Sequence, residues 1–562
     1  MKSDQDVDLS PCASEREALA AAEAKGIVPA FAAYFKLSGP GWLQSALTLG
    51  GGSLGSSLYL GALAGTTLLW LQPLAMLLGV IMLSAISYVA LSTDVRPFVL
   101  VRDRISPLLA WSWLLASLMA NIVWSMPQYA LSFAVLDQNL LPLFQSSGGA
   151  SSGLNAWLVS GGILFICTAV TWSYGAGHWG VKVYEAVLKI IVAIVVASFL
   201  GVVLRMSSGV GGADWGAILS GFVPDLSSIW RPADALAELL KPISDPAAQT
   251  YWRDLIVSQQ RDVMLSAGAA AVGINMTFLM PYSLLARGWT REFRGLARFD
   301  LLTGTLIPYV LATSAIVIVA AACFHGTTPC GFEVIDGQTT PPERFEQRFT
   351  DMLNARVKAL PDAEIGEAER RLASTLVKRD TFDLAKSLER LFVGTGNSGS
   401  YFAQLVFGVG VLGMTLSSIS LMMVISGFVV CELFGRDPTG WTFRLGSLAS
   451  ATGVLWPVFW SGDAMAWLTV VAGVVGSMLL PIAYVTFFLL MNHRDALGDA
   501  RPTGRARIMW NTLMLIAAVA ATAAGVSAIA KKAGWIGLSL AVVFAVVAFV
   551  SAKRQGNPAS PS

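Results

Sequence analysis

Gly50-Gly51-Gly52-Ser53 interrupts an apolar run extending from Gly39 to Gly65, and Asn275-Met276-Thr277-Phe278-Leu279-Met280-Pro281-Tyr282 interrupts another, from Met264 to Leu285. Three consecutive glycines forfeit on the order of 1 kcal/mol each relative to alanine in a helix interior, so the first helix is expected to unwind there. Pro281 removes an amide donor and opens the turn before it, while Asn275 and Thr277 can satisfy the carbonyls released. Inside a membrane, freed backbone groups persist only against protein or a watery cavity, which makes each break a candidate binding site. Close helix packing through small residues is the competing reading of the glycines, and a kink without function that of the proline. Gly50, Gly52 and Gly55 also fit GxGxxG, but no strand precedes them and apolar helix flanks them, so a dinucleotide loop is rejected.

Composition makes lipid the solvent. Of 562 residues, 55% are hydrophobic and 13% charged, where soluble domains carry about 25% charged residues. Uncharged runs of roughly 20 residues recur along the chain. A net charge of +2 gives no basic character that would point to nucleic acid. Cys12, Cys167, Cys323, Cys330 and Cys431 form no CxxC pair, and the three histidines are scattered, so no zinc site is expected. Cys323 and Cys330 fit either a disulfide or two free thiols. The first ~27 residues lack the apolar core and cleavage site of a signal peptide, so insertion is expected to use the first apolar helix. No cofactor is implied, and no nucleophile sits with a base, so the chain reads as a non-enzyme. The partners implied are the lipid bilayer and a small-molecule or ion substrate; no signal specifies an oligomeric state.

The fold class expected is an all-α polytopic membrane protein with about twelve transmembrane helices. Lys and Arg cluster after spans two, six, eight and ten, which places both termini in the cytoplasm of a plasma (inner) membrane protein. The division is then a cytoplasmic tail (1–38), helices one to five (39–205), an extracytoplasmic loop (206–261), helices six and seven (262–323), an extracytoplasmic helical insert (324–397), helices eight to ten (398–491), a cytoplasmic loop with helices eleven and twelve (492–552), and a tail (553–562). Within the insert, Ala368, Leu372 and Leu376, then Leu384, Leu388, Leu391 and Phe392, recur at helical spacing. The two interruptions fall in the first helices of two five-helix halves, the pointer to an inverted-repeat transporter with a midplane site.

Gly39-Pro40-Gly41-Trp42-Leu43, with Gly61, Gly65 and Thr67-Leu68-Leu69-Trp70, resembles the first two helices of the Nramp family of proton-coupled divalent metal transporters. Met280-Pro281-Tyr282 resembles that family's Met-Pro-His turn; Ser417-Ser418 to Gly427 with Glu432, and Leu480-Pro481 with Ala483, are similar to its eighth and tenth helices. The resemblance runs from Gly39 to Gly498. It implies a leucine-transporter-type 5+5 inverted repeat with discontinuous helices 1 and 6 and alternating access. The departures fall on the chemistry. Gly50-Gly51-Gly52-Ser53 stands where the family has Asp-Pro-Gly-Asn, and Tyr282 replaces its histidine. Gly473 and Leu479 stand at its tenth-helix glutamines, Trp124 and Pro127 at its third-helix acids.

A divalent ion at a low-dielectric midplane needs negative charge or several hard oxygens, and thioether alone suits soft metals. No metal site is therefore expected, Met280 being the one side chain of ligand type. Glu185 and Lys189 are spaced to pair along one helix face. Substrate contacts are expected from Thr48, Gly50, Gly51, Gly52, Ser53, Asn275, Thr277, Met280, Tyr282 and Ser417, which suit a neutral polar or hydrated species. Two alternatives stand beside this: a divalent cation transporter for magnesium or manganese using carbonyls, waters and Met280, and a non-transporting membrane sensor or assembly protein. Met422 and Met423 read as packing residues.

Overall fold

The computed structural model describes residues 10–93, 95–140, 153–174, 178–207, 214–379, 383, 397–438, 440–459 and 466–555. Leu384, Leu388, Leu391 and Phe392 lie outside them. Two short helices, α1 (Ser10–Ala24) and α2 (Ile27–Leu37), lead into a broken helix, α3 (Pro40–Thr48) and α4 (Gly51–Ala64). There follow α5 (Leu71–Thr93), α6 (Pro97–Arg104), α7 (Pro107–Val135), α8 (Gly153–Tyr174), α9 (His178–Ser207), α10 (Trp215–Ser220) and α11 (Asp234–Leu240). A second broken helix, α12 (Pro246–Ala271) and α13 (Ile274–Ala286), precedes α14 (Arg294–Leu301) and α15 (Ile307–Phe324).

Next comes an antiparallel hairpin, β1 (Glu333–Ile335) and β2 (Gln338–Thr340), with α16 (Glu343–Ala359) and α17 (Glu367–Leu376). The chain re-enters the bundle as α18 (Asn397–Leu433), then α19 (Gly440–Ser447), α20 (Trp456–Phe459), α21 (Trp467–Asn492), α22 (Arg494–Leu497) and α23 (Gly504–Gln555).

Among the described residues, nine helical stretches are long and apolar enough to cross a membrane. They hold ten of the twelve expected spans, because the stretch 504–553 contains two, joined at Gly534 with φ 57°. Spans one and nine are missing from that set because each is assembled from short pieces: α3 with α4, and α19 with a 3-10 stretch, Leu448–Leu455, and α20. Helix α12 starts earlier than hydropathy suggests, within 206–261. Asp245 caps it by accepting from Ala247 N (3.0 Å) and Ala248 N (3.3 Å), with Pro246 at its first position.

Glu185 does not pair with Lys189. Its carboxylate holds the Arg287 guanidinium through Nε (3.1 Å) and Nη2, and Lys189 Nζ donates to Ser38 O at 2.6 Å. Beside them buried Asp300 accepts from Ser38 Oγ, from Gly39 N at 3.2 Å and from Gly41 N at 2.6 Å. The start of α3 is thus tied to α9, α13 and α14, a tertiary arrangement that overrides the local i,i+4 spacing. No disulfide joins Cys323 to Cys330.

Candidate substrate site

Both broken helices open at a glycine. In the first, Leu49 (φ −78°, ψ 55°) and Gly50 (φ −105°, ψ −176°) leave helical geometry, and Gly51, Gly52 and Ser53 form the first turn of α4. In the second, the break lies at Val272 (φ −142°, ψ 105°) and Gly273 (φ −79°, ψ 162°), not at Pro281. Pro281 sits inside a continuous α13, so the expected opening of the turn before it is corrected: the interruption falls eight residues earlier. Gly79 of α5 makes room for it, since a Cβ there would meet Val272 Cγ2 at 2.1 Å.

Between the breaks lies a cavity of about 40 Å³, room for roughly three waters or one partly hydrated ion. The broken helices contribute Leu47, Thr48, Gly52 and Ser53 from one side, and Ala269, Ala270, Gly273, Asn275 and Met276 from the other. Trp124 and Gln128 of α7, with Ser418 and Met422 of α18, complete the lining. Every residue of α3 except Trp42, and every residue of α4 except Ala62, is buried, so protein encloses the break on both sides.

The backbone groups that the break releases are individually satisfied. Gly51 N donates to Gln128 Oε1 at 2.8 Å, and Ser53 Oγ donates to Gly50 O at 2.9 Å. Ser417 Oγ reaches Ala46 O (3.1 Å) and Met414 O (3.0 Å); Ser418 Oγ reaches Leu47 O (3.2 Å) and Ala46 O (3.4 Å). Thr48 Oγ1 lies 3.3 Å from Ala271 O and 3.2 Å from Met276 Sδ, joining the two breaks. Asn275 Nδ2 donates to Asn121 Oδ1 at 2.9 Å, and Asn121 Nδ2 to Ser426 Oγ at 3.1 Å. Each of these groups is neutral.

Of the ten residues expected at the site, Thr48, Gly52, Ser53 and Asn275 line the cavity; Gly50, before α4, and Gly51, its first residue, are not part of the lining. Ser417 reaches the carbonyls behind it. Thr277 is turned away: its hydroxyl accepts from Trp113 Nε1 at 2.9 Å. Tyr282 stacks on Phe278, with centroids 4.4 Å apart and planes at 6°. Met280 is buried in the apolar core of α13, one helical turn beyond Met276, and Met276 is the methionine at the cavity. Met422, read as packing, is cavity wall. Trp124, Gln128 and Ser418 were not singled out as contacts. The signal for Gln128 was available, an uncharged polar residue inside an apolar span with a glycine triplet to serve.

The glycines also have the packing role weighed as their alternative. A Cβ at Gly50 would meet Ser418 Oγ at 2.1 Å, one at Gly52 would meet Trp124 Cζ3 at 2.3 Å, and one at Gly55 would meet Thr469 Oγ1 at 2.0 Å. Close approach and unwinding coincide at these positions. Among the described residues, no group of three or more His, Cys, Asp or Glu is placed to hold a metal ion.

The fold has solved counterparts. A crystal structure of a manganese transporter variant from Eremococcus coleocola superposes with a TM-score of 0.60 at 14% identity, covering 93% of this chain and 96% of that one. The same transporter in complex with an aromatic bis-isothiourea substituted compound gives 0.59 at 15% identity, covering 94% and 96%. No curated protein matches the sequence. The sequence profile of the natural resistance-associated macrophage protein-like (Nramp) family matches residues 41–338 and 378–528. That match takes in both broken helices and leaves out most of the insert between α15 and α18, and by it this integral membrane protein belongs to the Nramp family.

Proposed function

We propose that the chain is a secondary transporter working by alternating access, with an altered substrate in place of proton-coupled manganese or iron uptake. The observation that carries this reading is the chemistry of the cavity lining. Its polar groups are hydroxyls, amides, an indole, two thioethers (Met276 and Met422) and backbone, with no carboxylate and no imidazole. Moving a doubly charged ion out of water costs far more than neutral dipoles return unless anionic ligands offset it. A proton relay through the same place has no titratable members. The small cavity favours a hydrated or compact species over an organic metabolite. The distribution of Lys and Arg supports cytoplasmic termini, and the plasma membrane is the proposed location.

Isothermal titration of the full-length protein with Mn²⁺ and Mg²⁺ tests the electrostatic argument. The expected result is no micromolar binding of either ion. Micromolar Mn²⁺ binding that disappears in Met276→Ala would overturn it and establish the divalent alternative. Uptake into proteoliposomes separates a transporter from a non-transporting membrane protein.

A further inference from the structure

We propose that the pocket enclosed by α1, α2 and α9, at the foot of the first broken helix, binds the headgroup of an anionic phospholipid. The proposal goes beyond the transport reading and does not depend on which substrate the cavity takes.

The argument starts from α2. Ile27, Val28, Phe31 and Phe35 share one face of this helix, and each is more than half exposed. The helix is nonetheless held in place: the Phe31 and Phe35 rings meet Phe299 of α14 edge-on, with centroids 5.0 and 5.1 Å apart. An exposed apolar face on a short helix that leads directly into a membrane span is the pattern of a segment lying in the lipid interface. Helix α9 continues that apolar surface, with Val183, Val187, Ile190 and Ile194 exposed along a stretch long and apolar enough to cross a membrane. Between the two helices lies a cavity of about 480 Å³, within the usual size of small-molecule sites. Ala186 is exposed on the lipid-facing side of α9 and also lines the cavity, so the pocket opens toward the acyl chains.

Charge selects the headgroup. Lys36, Lys189 and Arg287 line the pocket against two carboxylates, Glu15 and Glu185. The carboxylates are already engaged: Glu185 holds the Arg287 guanidinium, and Glu15 Oε2 accepts from Trp289 Nε1 at 3.5 Å. The two lysines are not matched in the same way. Lys189 Nζ donates to a carbonyl, Ser38 O, at 2.6 Å, and Lys36 forms no ion pair among the described residues. The charge left for a ligand is therefore positive, and it sits beside an apolar mouth. A phosphate carrying acyl chains satisfies both features, whereas a soluble anion leaves the apolar rim uncovered. Basic pockets between membrane helices on the cytoplasmic side are suited to anionic lipid headgroups, and the Lys and Arg distribution puts the N-terminal end of the chain on that side. The same residues hold the foot of α3, since Arg287 Nη1 also donates to Leu37 O at 3.1 Å. A bound headgroup thus adds a contact shared by α2, α9 and the entry to the first broken helix.

The test uses the full-length protein, delipidated in detergent. Dioctanoyl-phosphatidylglycerol is titrated in, with dioctanoyl-phosphatidylcholine and glycerol phosphate as parallel arms, reading the thermal unfolding midpoint. The expected result is a saturable rise with phosphatidylglycerol, absent with phosphatidylcholine and with glycerol phosphate. Neutralising one lysine near a lipid headgroup is worth roughly a fivefold loss, so Lys36→Gln should weaken phosphatidylglycerol about fivefold and Lys36→Glu about 25-fold. Ala186→Trp fills the mouth from an exposed position and should abolish the response while unfolding like the parent in phosphatidylcholine. Lys25→Gln, in the turn before α2 and outside the lining, should keep the response. Hydrogen exchange locates the effect: phosphatidylglycerol should slow exchange in α2 and leave α16 unchanged. No saturable rise with phosphatidylglycerol, an equal rise with phosphatidylcholine, or an unchanged response in both Lys36→Glu and Ala186→Trp overturns the assignment. An equal loss in Lys25→Gln and Lys36→Gln means diffuse surface attraction and overturns it too, and a full response to glycerol phosphate replaces the lipid with a soluble anion.

Discussion

Gln128 Oε1 accepts the amide hydrogen of Gly51 at 2.8 Å, so a side chain from α7 caps the half-helix that starts after the break. Both groups are buried. Gln128→Leu should leave the Gly51 N–H unpaired and cost about 1–3 kcal/mol, read as a lower thermal unfolding midpoint. Gln128→Glu keeps an acceptor and places a carboxylate on the cavity wall. It is expected to confer Mn²⁺ binding that the parent lacks; unchanged titration in this variant would count against the charge argument.

Gly52 and Trp124 are coupled by space. The indole occupies the position a Cβ at residue 52 would need, and its Nε1 would stand 2.9 Å from a Cβ at Gly476. Gly52→Ala should therefore destabilise by about 1–3 kcal/mol through overpacking. Trp124→Leu removes the obstruction, so the double variant should be less destabilised than the sum of the singles. A double-mutant cycle on unfolding free energy measures the difference, and strict additivity would mean that the contact is relieved elsewhere.

The comparison of these two breaks explains what was legible in the sequence. Three adjacent glycines weaken a helix whatever surrounds it, so the first break could be read from local propensity. The second rests on Val272-Gly273, a β-branched residue and a single glycine, a weak signal beside the conspicuous Pro281. A proline inside a helix costs one hydrogen bond, which surrounding helices can absorb, and α13 passes through it unbroken. Reading the methionine from the proline points to Met280, which lies buried one turn beyond the cavity-lining Met276. Long-range pairings were illegible for another reason. Glu185 and Arg287 are far apart in sequence and meet only because α9 and α13 converge on the start of α3.

His325, just past the end of α15, gives the protein a pH-dependent contact. Burial lowers the pKa of its ring below the ordinary value of about 6.5, against a smaller opposing effect from the hydrogen bond at 3.1 Å between Nδ1 and Ala62 O. The folded state thus favours the neutral ring, and the unfolded chain takes up the proton first as pH falls. The contribution is complete above about pH 6.5 and is lost progressively below it. Unfolding midpoints between roughly pH 8 and pH 5 should fall more steeply in the parent than in His325→Asn. Identical slopes would assign the acid sensitivity to other groups.

The segment between α15 and α18 carries a buried ion pair of its own, and α12 docks on it. Arg356 Nε and Nη2 hold the Glu369 carboxylate at 2.6 and 3.0 Å, and Trp252 Nε1 of α12 donates to the same carboxylate at 2.7 Å. Arg356 is fully buried, so removing one partner strands a charge in a site that water does not reach. Glu369→Ala is expected to cost about 3–5 kcal/mol locally, whereas Arg356→Met with Glu369→Leu should cost much less because no charge remains. Beyond this pair, Tyr59 Oη of α4 donates to Arg379 O at 2.7 Å, and Lys378 Nζ lies 4.8 Å from the Trp467 ring centroid. The insert therefore bridges α4, α12 and α21. Hydrogen exchange on Glu369→Ala should show deprotection of α16 and α17 together with the Tyr59 end of α4; deprotection confined to the insert would mean that it does not brace the broken helix.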